Sequence, residues 1–136
     1  MSLLEVDGLN SYYGDSHILF DVSLRVEPGG RDVRVRSVQV HDEDVSVAEA
    51  GQRVAVALPG VERRELARGD ALVQPGAYMS SYRIDVELAE LGHPVPSRVL
   101  VHHGTSATLA RVVRVGGFAQ LRLAAPIVAA HGDRVV

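Results

Sequence analysis

Cysteine, lysine and tryptophan are all missing from this 136-residue chain. Without cysteine there is no disulfide, no thiolate zinc site and no thiol nucleophile, and nothing points to an oxidising compartment. Without lysine there is no P-loop lysine to hold a phosphate, no Schiff base and no pyridoxal site. All 14 basic side chains are arginine. Aromatic residues make up only 4% of the chain, so its core must be aliphatic. No stretch approaches the roughly 20 apolar residues of a membrane helix, and the start carries no basic-then-apolar leader. These absences lead to the expectation of a soluble, cytoplasmic protein with no membrane partner. There is no G-x-S-x-G, no H-E-x-x-H and no carboxylate pair placed together by the sequence, so nothing argues for an enzyme. Nothing calls for a cofactor or a metal either. The net charge of −3 argues against a general nucleic-acid binder but leaves room for a local basic stripe.

What the chain does have is valine at every second position. In 17–27, Ile18, Phe20, Val22, Leu24 and Val26 alternate with polar partners such as Asp21, Ser23, Arg25 and Glu27, the mark of a half-buried strand. Leu4 and Val6 begin a shorter strand, and Gly14-Asp15-Ser16 is the turn between the two. In 31–41, Val33 and Val35 alternate with Arg34 and Arg36; the phase then slips and Val38 and Val40 continue one register later. A β-bulge near Ser37 would keep all four valines on one face. Val54, Val56 and Leu58 form the next strand, 61–66 read as a single helical turn, and Gly69-Asp70 and Pro75-Gly76 punctuate a short strand between them. A second set follows: Ile84, Val86 and Leu88; Val99 and Val101; then 107–115, 118–123 and 133–136. Many short strands at near-regular spacing indicate a sandwich or a barrel.

Two resemblances overlie this pattern. Residues 31–76 carry "AGQRVAVAL", "GVERREL" and "RGDALVQPG" and resemble the second domain of translational GTPases, the selenocysteine-specific kind most of all. Residues 77–136, with "RIDVEL", "VHHGTSATLARV" and "AQLRLAAPIVAAHGDRVV", look like a truncated third domain of the same family. Residues 3–29, "LLEVDGLNSYYGDSHILFDVSLRVEPG", resemble instead the first strands of ABC transporter ATP-binding subunits of the branched-chain amino-acid type, where Tyr13 would match the aromatic that stacks on adenine. The phosphate cradle that should follow, G-x-x-x-x-G-K-[ST], is absent from this sequence. Neither nucleotide site is therefore expected here.

One set of candidate contacts comes from the third-domain likeness and another from strand alternation, which turns Arg34 and Arg36 the same way, either as an RNA-contacting stripe or as a solvated outer face opposite the valines. "HHGT" lies where that family's third domain approaches the tRNA T-stem, which implies RNA contacts for His103 and Thr105. Arg34 and Arg36, with Arg53, would make a phosphate-contacting stripe. On a strand, His102 and His103 face opposite ways and cannot easily share one metal. "HDEDVS", 41–46, reads as a charged hairpin tip. Tyr12 and Tyr13 read as sheet packing or turn surface.

The expected fold is all-β: two small antiparallel β-barrel-like units of translation-factor type. Residues 1–76 form a hybrid unit, the ABC-like strand pair completing it, and 77–136 form the second. The expected role is that of a non-enzymatic chimera without inherited activity. Two alternatives stand beside it: a residual aminoacyl-tRNA-binding module, and a protein-interaction module that offers an exposed barrel edge to a second copy or another partner.

Overall fold

The computed structural model describes residues 2–5 and 23–136. It is all-β, and every strand pairing is antiparallel. The strands are β1 (Ser2–Glu5), β2 (Ser23–Glu27), β3 (Arg31–Arg34), β4 (Ser37–Val40), β5 (Glu43–Asp44), β6 (Val47–Glu49), β7 (Val54–Ala57), β8 (Ala71–Val73), β9 (Ser80–Glu87), β10 (Arg98–His103), β11 (Ser106–Val115) and β12 (Phe118–Val128). Among the described residues one 3₁₀ turn spans Arg63–Glu65, where "VERREL" predicts a helical turn. The strands join as β1-β6, β3-β2-β8, β5-β4-β7 and β10-β11-β12-β9.

The valine pattern builds the first core. Leu24, Val26, Val33, Val35, Val38, Val40 and Ala48 are buried together, with Val54, Val56, Leu58 and Val61 packed around them. The phase slip near Ser37 is real, but its cause is a corner and not a bulge. β3 belongs to one three-stranded sheet and β4 to another. The chain changes sheets at Val35-Arg36, and the Arg36 amide donates to the Ala57 carbonyl at 2.8 Å. A change of sheet lets valines on both sides of the slip point into one core. Of the strand expected over 17–27, only Ser23–Glu27 lies among the described residues; the turn at 14–16 and Tyr12 and Tyr13 lie outside them. β2 sits between β3 and β8 and alternates as expected through Val26. Glu27, expected on the solvent face, is buried where β8 pairs with it through Ala71.

His41 and Asp42 form the two-residue loop of the β4–β5 hairpin, both with positive φ (53° and 66°). That is the type I′ pattern that matches strand twist. "HDEDVS" is thus a hairpin tip, held by a bond from Gln39 Nε2 to Asp44 Oδ1 at 3.0 Å.

The second core gathers Val101, Ala110, Val112, Ala119, Leu121, Leu123 and Ile127, with Ile84, Val86 and Val99 against it. β12 runs to Val128, five residues past the expected end at 123. Pro126 has no N–H to give to a ladder, and it falls in a register shift between Arg122 and Ile127. The Ala125 amide there donates to the buried Thr108 Oγ1 at 3.0 Å. Residues 133–136, expected as a strand, are not one. Only Val136 exchanges backbone bonds with His102, at 2.6 and 3.0 Å.

Candidate nucleic-acid interface

Arg34 and Arg36 are both exposed and lie opposite the buried Val33 and Val35. They flank the corner, so they present their guanidiniums from the end of β3 and from the link into β4. Arg53 does not join them. It precedes β7, whereas Arg36 bonds to Ala57 at the other end of that strand. At about 3.4 Å per residue the two ends lie roughly 13 Å apart. Neighbouring cations are occupied: Arg25 meets Asp32 through two bonds of 2.7 and 3.1 Å. This pairing holds the Asp32 carboxyl below its ordinary value. Arg31 reaches Glu65 at 2.6 Å and the Gly60 carbonyl at 2.9 Å. Glu65 is held low first by the Glu62 amide and then by Arg31. Among the described residues, Arg34 and Arg36 have no such acidic partner.

His103 ends β10 and Ser106 begins β11, so Gly104-Thr105 is a two-residue hairpin loop. Gly104 has φ +55° and Thr105 does not have positive φ, the type II′ pattern in which the first position favours glycine. Thr105 is exposed at this tip. His103 is half-buried, and its Nε2 lies 2.9 Å from Asp133 Oδ2. Asp133 is held below its ordinary value, first by the Ala130 amide and then by His103. His102 faces the other way and is exposed. Gly69 packs against the base of this hairpin. A methyl there would lie 2.7 Å from Ser106 Cβ, and the φ of +103° also calls for glycine. The structure therefore brings the "RGD" turn to the "HHGTS" hairpin and leaves Arg34 and Arg36 as a separate pair.

A set of arginines that no sequence motif announces lies on the four-stranded sheet. Arg98 pairs with Arg111, Arg111 with Arg122, and Arg122 with Arg83, each directly opposite the next. All four are exposed, and beside them Ile84, Val99, Ala110, Val112, Leu121 and Leu123 pack into the core. They form one row across β10, β11, β12 and β9. Arg98, Arg111 and Arg122 line a shallow groove of about 290 Å³ with Leu109 and Ala124. Among the described residues the row has no acidic partner; Arg122 Nε donates to Gln120 Oε1 at 3.1 Å. Gln120 in turn reaches Asp85 on β9 at 3.2 Å. Like charges directly opposite on a sheet are destabilising, so this row costs the fold something.

No family model matches the chain. It is 33% identical to the selenocysteine-specific elongation factor of Desulfomicrobium baculatum in an alignment of 127 residues, which covers 83% of this chain and 20% of that protein. Over 47 residues, 35% of this chain and 10% of the relative, it is 49% identical to the selenocysteine-specific elongation factor of Methanocaldococcus jannaschii. The structure superposes on a bacterial selenocysteine-specific elongation factor with a TM-score of 0.74 and 30% identity, over 84% of this chain and 20% of that one. The apo form of elongation factor SelB from Methanococcus maripaludis shares the fold at a TM-score of 0.66 and 23% identity, over 84% of this chain and 30% of that one. The chain thus spans a fifth or less of the curated factors it matches. In sequence and in fold it resembles the C-terminal β-barrel domains of the selenocysteine-specific elongation factors, outside their GTPase part.

Proposed function

We propose that this chain is an aminoacyl-tRNA-contacting module of the elongation-factor kind, acting by binding and not by catalysis. The observation that carries this reading is the likeness to a selenocysteine-specific elongation factor across 83% of the chain. It favours a binding module over an activity-free chimera. On this reading tRNA is the partner, and neither a nucleotide, a membrane nor a cofactor is needed. Arg34, Arg36 and Thr105 are the exposed groups that meet the RNA, and His103 supports the hairpin tip through Asp133. Arginine forks suit phosphate better than any other side chain. We place the boundary between two units near Gly76-Ala77, since the first core draws on residues up to Val61 and the second on residues from Ile84. On this reading the N-terminal segment completes the first unit, a reading supported by the pairing of β1 with β6 and of β2 with β3 and β8; without it the unit's edges would be open to a second copy.

The test is a titration with labelled aminoacyl-tRNA against a scrambled RNA at low and moderate salt. Tighter binding of the aminoacyl-tRNA, weakened in an Arg34→Ala, Arg36→Ala double variant, supports the reading. Equal or absent binding of the two RNAs overturns it. Deleting residues 1–30 tests the hybrid unit: a remainder that stays monomeric and equally stable would show that the segment is not part of it.

A further inference from the structure

We propose that the row Arg98–Arg111–Arg122–Arg83 is a sequence-independent grip for the phosphate backbone of duplex RNA, separate from Arg34, Arg36 and the hairpin tip. It rests on the preceding reading only for the choice of RNA over DNA.

The row is costly to the free protein. Four cations stand in direct cross-strand register on a chain whose net charge is −3 and which has 17 acidic residues available to break up the row. The carboxylates on this face, Asp85 and Glu87, sit at the β9 edge. Asp85 pairs with Gln120, and Glu87 lies opposite Phe118. Neither faces Arg98 or Arg111. An arrangement that destabilises the free protein is relieved when an anion arrives.

An unneutralised row of cations calls for a polyanion of matching length. Adjacent strands lie about 4.8 Å apart, so four arginines on four strands span roughly 14 Å. A nucleic-acid duplex is a dense polyanion whose phosphates wind round its axis, so a row of that length meets several phosphates, from one strand or from both across a groove. An extended acidic peptide turns alternate side chains away and offers one line of carboxylates about every 7 Å, without a second charged strand beside it. Beside the row, Leu109, 64% exposed, and Ala124 form an apolar wall of the groove, and the exposed Leu100 stands directly opposite Leu109. Low-dielectric walls strengthen the pull of the adjacent charges on a bound phosphate.

The experiment uses the whole chain and three probes: a random-sequence RNA duplex, aminoacyl-tRNA and poly-glutamate. Dissociation constants are measured between 50 and 200 mM salt. Four phosphate contacts give a slope of log K against log salt of roughly −3.6, about a 150-fold loss of affinity over that range. A variant with all four arginines changed to glutamine should bind the random duplex at least tenfold more weakly at 50 mM salt, with a slope shallower by about 3.6. It should melt no lower than the parent, so lost binding is not lost folding. If the variant keeps the affinity and the slope, the proposal is wrong. It is equally wrong if poly-glutamate binds the parent as tightly as RNA does, or if no RNA binds. If the random duplex binds through the row but aminoacyl-tRNA gains nothing over it, the grip stands and the tRNA reading falls.

Discussion

Replacing Arg111 by glutamine should make the free protein more stable. Arg111 is the one position of the row whose two neighbours, Arg98 and Arg122, are both in its own groove. It stands directly opposite each of them. Two guanidiniums about 7 Å apart in a water-like dielectric repel by about 0.6 kcal/mol. Two such pairs give about 1.2 kcal/mol without screening. At 0.01 M salt nearly all of this remains, about 1 kcal/mol; at 0.1 M about half; at 1 M about a tenth. A gain of about 1 kcal/mol raises the melting temperature of a domain this small by roughly 4–8 °C. Glutamine keeps most of the stem that covers the sheet, so little packing is lost. The assay is thermal or urea unfolding of parent and Arg111→Gln at 0.01, 0.1 and 1 M sodium chloride. The expected result is a stabilisation at low salt that shrinks steadily toward zero. A destabilised variant, or a gain that does not depend on salt, refutes the like-charge account of the row.

Other consequences are equally specific. Thr108→Val should cost about 1 kcal/mol, the usual worth of one hydrogen bond, because Thr108 Oγ1 takes the Ala125 amide in the β12 register shift; hydrogen exchange at Ala125 should rise with it. Gly69→Ala should cost more than Gly92→Ala in urea titrations, for both have positive φ but only the first puts a methyl 2.7 Å from another residue, Ser106. Similar costs would mean that the turn and the hairpin do not touch in solution. Asp133 has a depressed folded-state pKa, so its contribution is complete above the ordinary value of 3.8 and is lost as pH falls through and below it. Asp133→Asn should therefore be less stable than the parent at neutral pH, with the difference closing below about pH 4.

How much of this the chain announces depends on the range of the interaction. The alternation that buries Leu24, Val26, Val33 and Val35 is written in neighbouring residues, and so is the phase slip before Val38. A corner between sheets and a bulge within one strand leave the same slip, and only the pairing of Arg36 with Ala57 separates them. The end of β12 was hidden because Pro126 reads as a stop, while the residue that accommodates it, Thr108, lies on another strand. His103 and Thr105 stand adjacent to one turn and could be picked out together, but the partner of His103 is 30 residues away. The arginine row is the extreme case. Arg83, Arg98, Arg111 and Arg122 each look like an ordinary solvent-facing residue on its own strand. Three registers must be known at once before they become a line, and no periodicity within one strand carries that information.

The most direct test of the central claim is the equilibrium binding of aminoacyl-tRNA to the whole chain, followed across salt. Saturable binding is expected, tighter than for a scrambled RNA and falling steeply between 50 and 200 mM salt, as several phosphate contacts require. Binding that never saturates, or that is the same for both RNAs and indifferent to salt, would contradict it.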